Sequence, residues 1–531
     1  MTAAADVPQG PQPVDQPSGK PAGGPPAAGQ QPPEQAKDRS LTVAALERLP
    51  LMLRVALFHL LRISKQSRYL DLRTEVTVAV LRSFVDPPRP LSFSSAQKLG
   101  AQTPAVKGKF WISTYTCPPP PTGSMGLQDA IAKGIDGLRS ERLPAPEYDM
   151  PVPAPTDGEW TGHRAGATAD TRLPDAPQRS LYDELMREVT SPVTVLYFHG
   201  GAYYMLDPAT HRPTCRRLAK RTGGRVYSVR YRLAPQYPFP AALMDALMSY
   251  LALLYPPEGA FHAPVKPEHI VFAGDSAGGN LSLALLQLLL HLRRVSHTIT
   301  PPWASPSEGT TPAIIPLPAG VAVNSPWLDI THSSPSCITN AAWDYLPTLA
   351  RQDAAELKRP ACTIWPARPP RRHLFAPDAL LPHPLVSLVL APSWAGAPPV
   401  YVCTGWELLA DEGRFLARKM VRQGVRVVLE EYEAMPHCFA IVFPGLREGR
   451  RCLEGWAGFV KAVVEQGKKG VESRFVKVKA KTVEETVEEP GEGGDEEEEK
   501  GVEERVWKAL GERGFLEELD GDEVEEGEAE E

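Results

Sequence analysis

Short, almost continuously apolar runs alternate with helical stretches through the middle of this chain. Runs that are apolar on both faces are typical of parallel strands that lie inside a sheet and are covered by helices on both sides. We therefore predict an α/β fold with a mostly parallel central sheet flanked by helices. The predicted strands are Val193–Phe198, Arg225–Val229, Ile270–Ala273, Ala319–Val323, Pro399–Cys403 and Arg426–Glu430, preceded by a short antiparallel strand at Glu159–Gly162 and followed by a last helix at Leu446–Gln466.

The residues before this alternation have a different pattern. From about 41 to 85, leucines and basic residues recur at helical spacing, and we interpret this part as helices packed on their own domain. Two alternatives stay open, a helical cap over an active site and an amphipathic helix at Leu49–Ile63 that meets a membrane or lipid surface. The Leu49–Ile63 run contains Arg54 and His59 and is shorter than the ~20 residues that a bilayer span needs, so no transmembrane helix is predicted.

Composition separates the two ends of the chain from its middle. Residues 1–40 consist mostly of Pro, Gly, Ala and Gln, with little to bury, which predicts a disordered arm. Residues 484–531 carry 23 acidic and 4 basic side chains, whereas the whole chain has a net charge of −7. We therefore predict that residues 471–531 form an acidic, largely disordered tail. The alternative inside it is a short amphipathic helix that docks through Val506, Trp507, Leu510, Phe515 and Leu519.

Cysteine usage and the N-terminus indicate the compartment. The chain does not open with a basic and then apolar signal pattern, and its seven cysteines show neither a disulfide framework nor CxxC metal spacing. We expect an intracellular, cytoplasmic protein, peripheral on a membrane if the Leu49–Ile63 alternative holds. Neither a GxGxxG nor a Walker lysine pattern is present, which argues against a nucleotide-binding loop. We also expect no nucleic-acid partner.

The run from Val271 to Asn280 contains a candidate nucleophile. It combines a strand, the pentapeptide Gly274-Asp275-Ser276-Ala277-Gly278 and an apolar helix. The Gly-x-Ser-x-Gly pattern suits a sharp strand-to-helix turn, because glycines let the two backbones approach while the serine stays exposed. An ordinary glycine turn is the competing interpretation, and the flanking strand and helix favour the nucleophile.

A serine nucleophile needs a base and an acid on later strands, in the chain order Ser, Asp or Glu, His. His437 lies in the turn after the predicted strand that ends near Tyr432, and it is the predicted base. Glu407 follows the strand before that one and is the favoured acid. The rivals for the acid are Asp411 and Glu412, which also suit a helix N-terminus, and more distantly Asp329.

Acyl transfer also requires N–H donors aimed at the oxyanion of the tetrahedral intermediate. The sequence His199-Gly200-Gly201-Ala202 follows the Val193–Phe198 strand, where a glycine pair can turn its N–H groups into a cleft. We predict an oxyanion hole formed by Gly200, Gly201 and Ala277. A plain glycine-rich loop is the alternative.

Several of these motifs together resemble a known family. His199-Gly200-Gly201-Ala202-Tyr203 and Gly274–Asn280 resemble the paired motifs of the hormone-sensitive-lipase-like esterases, a branch of the α/β-hydrolase superfamily. Three further segments are similar to the family: Tyr231–Pro235 with Pro238–Ala242 and Asp245, Ser325–Asp329, and Glu407–Gly413. The last of these resembles the acid motif of the family, with Leu408 where the family usually has Pro. The resemblance covers about residues 159–466.

The resemblance implies an α/β-hydrolase fold with a helical cap and a carboxylic-ester hydrolase that needs no metal or cofactor. It places an N-terminal helical cap region at 41–130 and a catalytic domain at 131–470, with a cap insertion at about 331–384. It also implies that Ser276 attacks the ester, that His437 and Glu407 complete the triad, and that Tyr203 and Tyr204 are candidates for the wall of the acyl pocket. We expect a small-molecule ester with a short to medium acyl chain as substrate. The alternatives are a lipid or amide deacylase at a membrane surface and a non-catalytic ligand receptor on the same fold.

Overall fold

The computed structural model describes residues 46–101, 103–121, 125–142, 145–303, 311–489 and 496–515. The chain divides into two units, Met1–Leu49 and Pro50–Glu531. Only residues 46–49 of the first unit are described, so the account below concerns the second unit. The disordered arm predicted at 1–40 lies outside the described residues.

One mixed sheet of ten strands forms the centre of the part of the chain that the structure describes. Its order is β1-β2-β4-β3-β5-β6-β7-β8-β9-β10. The strands from β4 through β9 pair in parallel, whereas β1, β2 and β10 run antiparallel to their neighbours. The strands are β1 Phe110–Cys117, β2 Thr156–His163, β3 Thr194–Phe198, β4 Arg225–Arg230, β5 Ile270–Asp275, β6 Gly320–Asn324, β7 Val400–Gly405, β8 Val427–Tyr432, β9 Arg474–Val478 and β10 Glu485–Glu488.

The apolar runs of the sequence are the buried parallel strands, as predicted. In β3, Val195 and Tyr197 point to one face of the sheet and pack with one hydrophobic cluster, whereas Leu196 and Phe198 join the cluster on the other face. Both faces are covered, and all five residues of β3 are buried. The continuous apolar pattern and the prediction of a sheet covered on two sides are thus confirmed.

Helices cover both faces. Helices Met125–Leu138, Ala241–Leu254 and Ala277–Arg294 contribute to one cluster, and Pro208–Thr222 and Arg447–Glu465 to the other. Among the described helices, none is long and apolar enough to cross a membrane. The remaining helices are Leu49–Leu60, Leu72–Val85, Phe93–Gly100, Gln178–Arg187, Leu349–Glu356, Ala410–Arg422 and Glu496–Glu512, with four-residue helices at Ser336–Thr339 and Phe439–Val442.

Part of the region predicted as an N-terminal cap, 41–130, belongs to the hydrolase body instead. Strand β1 pairs with β2 along its whole length at the edge of the sheet. Helix Met125–Leu138 packs into the main core through Leu127, Ile131 and Ile135. The apolar residues of that helix recur at helical spacing, so its sequence carried a signal that the prediction did not use.

The prediction of a largely disordered tail at 471–531 is wrong for residues 471–489 and 496–515. Strands β9 and β10 extend the sheet, and helix Glu496–Glu512 buries one apolar side while its acidic residues pair with cations of the body. The acidic composition of the whole segment outweighed the short apolar patterns inside it. The buried residues are Phe475, Val476, Val478, Val502, Val506, Leu510 and Phe515, and the ion pairs are Arg418–Glu498, Lys419–Glu499, Arg422–Glu499 and Arg142–Glu503.

The helices near the N-terminus contact the insertion predicted at 331–384. Arg82 on helix Leu72–Val85 donates to the carbonyl oxygens of Ala341 and Ala342. Phe93 contacts Trp365 edge to face, with ring centroids 5.8 Å apart. The two segments assigned to a cap are therefore in contact, and their role as a cap remains a prediction.

The packing of helix Glu496–Glu512 leads to a stability prediction. Replacing the buried side chain by Leu510→Ala should lower the free energy of unfolding by about 2–5 kcal/mol, since it leaves a cavity against the main core. Lys508 lies on the same helix with its side chain 74% exposed, and Lys508→Ala should change stability by less than about 0.5 kcal/mol. Urea unfolding of both variants checks this, and equal midpoints would show that the helix does not pack on the body.

Candidate active site

Ser276 stands at a strained turn between β5 and helix Ala277–Arg294. Its backbone angles are φ 53° and ψ −122°, a region that residues other than glycine rarely adopt. A Cβ on Gly278 would lie 2.0 Å from the carbonyl oxygen of Phe198, and one on Gly274 would lie 2.4 Å from that of Gly278. Both positions need glycine because the backbones approach this closely, as the sequence predicted. The Ser276 residue is half-buried at the top of this turn.

The loop after β3 lies against the nucleophile turn, as the oxyanion-hole prediction requires. It differs from that prediction in which of its N–H groups are free. The Gly200 N–H donates to Asp275 Oδ1 at 3.3 Å, and a Cβ on Gly200 would lie 2.3 Å from Asp275 Oδ2. Gly200 therefore anchors the loop in this geometry, and its N–H is not free to receive an oxyanion. The N–H groups of Gly201, Ala202 and Ala277 have no acceptor within the described part of the chain.

A buried carboxylate, Asp275, supports both the turn and this loop. The Tyr197 hydroxyl donates to Asp275 Oδ1 at 2.6 Å, and His211 Nε2 lies 3.3 Å from Asp275 Oδ2. Burial alone would raise the Asp275 pKa, but the neighbouring His211 outweighs it and holds that pKa below its ordinary value. Asp275 is thus an ionised anchor for the Gly200 N–H. The nearby His199 is neutral, because burial together with the His211 charge lowers its pKa to about 3.

The predicted base and acid form a buried pair. His437 Nδ1 lies 2.5 Å from Glu407 Oε2, and both side chains are almost completely buried. The other carboxylate oxygen of Glu407 accepts from the Thr404 hydroxyl at 2.7 Å and the Gly405 N–H at 3.1 Å. Burial works against both charges, but the pair outweighs it, so the Glu407 pKa is lowered and the His437 pKa is raised.

The pair lies beside the nucleophile turn. Cys438, the neighbour of His437, has its Sγ 3.8 Å from Asp275 Oδ2, and its N–H donates to Ser325 Oγ at 2.9 Å. The charge of Asp275 also contributes to the raised His437 pKa. The loops after β5, β7 and β8 therefore meet at one edge of the sheet, where the order of the motifs predicted them.

The rival carboxylates have other partners. Glu412 Oε2 accepts the N–H groups of Leu328 and Asp329, at 2.6 and 2.9 Å, and Asp411 Oδ1 accepts from Arg414 at 2.6 Å. Asp329 caps its own loop through the N–H and hydroxyl groups of residues 331 and 333. Among the four predicted acids, Glu407 is the one whose carboxylate contacts His437.

Asp344 is a residue of the site that the sequence analysis missed. Its Oδ1 accepts the His437 N–H at 3.2 Å and its Oδ2 accepts the Leu408 N–H at 2.9 Å, so one side chain connects the base loop to the acid loop. Asp344 is fully buried, and burial raises its pKa above the ordinary value. It belongs to the insertion, far in sequence from every motif, and only its acidic side chain amid aromatic and proline residues could have drawn attention.

Asp344, Glu407 and His437 also place potential metal-ligand atoms within 4.8 Å of one another. Their polar atoms are already engaged in the Glu407–His437 contact and in the backbone N–H groups just described. This donor set fits a hydrogen-bonded network of two acids and one base. We assign it no metal.

Aromatic rings connect the N-terminal helices to the acid loop. Tyr69, Trp343 and Trp406 form a trio with ring centroids 5.3 to 5.4 Å apart. Trp406 precedes Glu407 directly, Trp343 precedes Asp344, and Arg82 Nε donates to the Asp344 carbonyl at 2.9 Å. The surroundings of the acid therefore depend on packing from three separate parts of the chain.

The two tyrosines predicted near the acyl pocket have different surroundings. Tyr203 is buried, donates its hydroxyl to Asn280 Oδ1 at 2.7 Å and stacks on Phe375 with ring centroids 3.7 Å apart. Tyr204 packs edge to face on Phe93, with ring centroids 5.2 Å apart. Their role as a pocket wall stays a prediction.

Comparisons with known proteins place the chain in a family. Residues 195–441 match the family described as alpha/beta hydrolase fold. An acetyl-hydrolase of Streptomyces hygroscopicus is 32% identical over 277 residues, which are 52% of this chain and 78% of that protein. Carboxylesterase NlhH of Mycobacterium tuberculosis is 30% identical over 286 residues, 52% of this chain and 76% of its own. A solved esterase/lipase from an uncultured bacterium covers 73% of this chain and 97% of its own, at 23% identity and a TM-score of 0.46.

The sheet topology, the strained serine turn and these relatives together define the class of protein. The chain belongs to the α/β-hydrolase superfamily. Membership of the hormone-sensitive-lipase-like esterases stays a prediction from the sequence motifs.

Asp344 leads to a prediction about positioning. Asp344→Asn keeps the shape of the side chain but removes its charge, and it turns an N–H₂ group toward one of two backbone donors. We expect about a tenfold or greater loss of kcat with a smaller change in KM, because the His437 and Leu408 loops lose their shared anchor. The acid limb of the pH-rate profile should move to lower pH, because the Asp344 charge is one cause of the raised His437 pKa.

A purely structural role for Asp344 would lower the unfolding midpoint and leave the position of the pH profile unchanged. Asp183→Asn is the matched control, since the Asp183 side chain is exposed and pairs with Arg179 on helix Gln178–Arg187. This control should keep both the rate and the profile of the parent protein.

Proposed function

We propose that this protein hydrolyses carboxylic esters with short to medium acyl chains through a triad of Ser276, His437 and Glu407. The observation that carries the proposal is the buried 2.5 Å contact between His437 Nδ1 and Glu407 Oε2, next to a serine in a strained turn. A carboxylate bound to Nδ1 leaves Nε2 as the basic nitrogen. This is the arrangement that a serine nucleophile requires.

In the first half of the reaction, the Ser276 hydroxyl oxygen attacks the acyl carbon of the ester and its proton passes to His437 Nε2. Glu407 holds the Nδ1–H and offsets the charge of the imidazolium that forms. The tetrahedral intermediate then collapses, the bond to the alkoxy oxygen breaks, and His437 returns its proton to the leaving alcohol. The acyl group is left as an ester of Ser276.

The second half repeats these steps with water. His437 takes a proton from the water molecule as its oxygen attacks the acyl-serine carbon. When the carbon–Oγ bond breaks, the proton returns to Ser276, the acid is released and the enzyme is regenerated.

For the oxyanion we propose the N–H groups of Gly201, Ala202 and Ala277. Gly200 is replaced in this set by Ala202, because its N–H is engaged with Asp275. Gly201 and Ala202 have φ values of 110° and 50°, so the loop backbone turns sharply at these residues. Ala277 begins the helix after the nucleophile, where an N–H has no partner inside the helix and the dipole favours negative charge.

Two observations support a short or medium acyl chain. Relatives of this chain are named acetyl-hydrolase and carboxylesterase. Aromatic rings also occupy space around the site, with Tyr345 of the insertion 6.1 Å from the His437 ring and Phe375 stacked on Tyr203. We infer that these rings limit the room for the acyl chain. Two alternatives are compatible with the same fold, an amide or lipid deacylase and a ligand receptor. Neither of them predicts a preference for esters with short or medium acyl chains.

We also retain the intracellular location as a proposal. Its support is that all seven cysteines are free, with Cys403 and Cys452 in contact at 3.2 Å between their sulfur atoms and not bonded.

The triad predicts a specific pattern of losses. Ser276→Ala and His437→Ala should each lower kcat for a para-nitrophenyl ester by about 10⁴-fold or more, and Glu407→Gln by less, because serine and base act as one unit. His163→Ala, a half-buried histidine at the end of β2, is the control and should keep full activity.

A wild-type chain-length series separates esterase from lipase, and an anilide tests the amide alternative. If the wild type hydrolysed none of these substrates, the alternative of a non-catalytic ligand receptor would be favoured.

The pH profile provides an independent prediction. Burial lowers the His437 pKa, but the charge and hydrogen bond of Glu407 raise that pKa by more than burial lowers it. The net shift is therefore upward from 6.5. Because the base must be neutral, kcat/KM should fall as the pH drops through a value above 6.5. Glu407→Gln removes the largest upward cause and leaves the burial, so its acid limb should lie at lower pH. A limb that does not move would contradict the assignment of Glu407.

A further inference from the structure

Helix Leu49–Leu60 is apolar on both of its sides. Its inner side, which includes Met52 and Val55, is partly buried against the molecule. Its outer side carries Leu53, Leu57 and Leu60, which are 63%, 53% and 69% exposed. The helix has no fully buried residue. A helix with apolar residues on all sides is normally buried by other protein segments or by lipid on all sides. The exposed outer side of this helix is therefore a candidate binding surface.

The apolar surface continues past the end of the helix and carries positive charge. Leu61 and Ile63 are also exposed, and we call Leu53, Leu57, Leu60, Leu61 and Ile63 the outer apolar face. From residue 49 to residue 70 the sequence contains no Asp or Glu, whereas Arg54, Arg62 and Lys65 are exposed beside this face. Apolar side chains flanked by cations are the chemistry that binds an anionic lipid surface.

Two other occupants fit this face less well. Residues 1–45 contain only Met1, Val7, Val14, Leu41 and Val43 as large apolar side chains, spread too thinly along the chain to cover it. A second copy would bring its own arginines against Arg54 and Arg62, and like charges across an interface oppose association. We propose that the outer apolar face docks on the surface of an anionic lipid bilayer.

The docked helix is connected to the site by a series of contacts. His59 on this helix contacts Glu75 on helix Leu72–Val85, with 2.6 Å between Nδ1 and Oε2. Arg82 on that second helix donates to the Asp344 carbonyl, and the Asp344 carboxylate accepts the His437 N–H. The side of the molecule that carries the insertion thus lies next to the lipid. Binding itself does not depend on the proposed hydrolysis.

Vesicle co-sedimentation of the full-length chain tests the proposal. The wild type should bind vesicles of phosphatidylcholine and phosphatidylserine, and Leu53→Glu/Leu57→Glu should lose that binding at least about tenfold, because two charged groups replace leucines at the interface. The matched control is Val152→Glu/Leu357→Glu, which places the same charges on side chains 71% and 90% exposed elsewhere. This control should bind like the wild type. Circular dichroism and the thermal midpoint verify that both variants are folded.

A second pair of variants tests the charge. Each cation near an anionic surface is worth about 1 kcal/mol, so Arg54→Gln/Arg62→Gln should weaken binding about 30-fold in low salt. Equal binding to vesicles without phosphatidylserine, or no binding of the wild type, would overturn the proposal. So would a dimer in gel filtration that Leu53→Glu/Leu57→Glu dissociates without any vesicle binding, because the face would then join two copies.

Discussion

The close approach of three backbone segments at Ser276 is the constraint on which the rest of the site depends. Strand β5, the helix that follows it and the end of β3 come so near one another that a single added carbon at Gly278 would overlap the Phe198 carbonyl. Such an approach is possible only where glycine stands, and it forces Ser276 into a strained conformation. The strain is maintained by the surrounding sheet, which is buried on both faces.

Buried charge is the second constraint, and the insertion at 331–384 takes part in meeting it. Placing Glu407, His437 and Asp344 together out of water is costly unless each polar atom has a partner. Glu407 is satisfied by His437, Thr404 and Gly405, and Asp344 by backbone N–H groups of the base and acid loops. The insertion therefore supplies a structural anchor to the proposed triad through Asp344. This explains why aromatic packing from the N-terminal helices converges on the same place.

The elements beyond the shared hydrolase core extend and stabilise it. Strands β9 and β10 continue the sheet on one side, and the outermost strand, β10, is short and carries glutamates, which discourages further strand pairing. Helix Glu496–Glu512 covers apolar surface beside the core, and the residues just after it contact the insertion through Arg513 and Asp353. The C-terminal residues thus contact both the body and the segment that borders the site.

The sequence determined those features that rest on local pattern. Buried parallel strands require continuous apolar runs, and a tight strand-to-helix turn requires glycine on both sides of the serine, so these strands and the turn at Ser276 were predictable from the printed residues. Helix Met125–Leu138 and strand β9 were predictable in principle, because their apolar periodicity is local as well. The acidic average of the C-terminal segment concealed the second of these.

Only the tertiary structure decided which groups meet. Whether Gly200 or Ala202 offers a free N–H depends on where the Asp275 carboxylate lies, and the choice among Glu407, Asp411 and Glu412 depends on which carboxylate reaches His437. Asp344 comes close to the base only because the insertion folds back over the sheet, 93 residues before His437 in the chain. Contacts between distant segments arise from the packing of the whole sheet and the insertion, and no local pattern of residues encodes them.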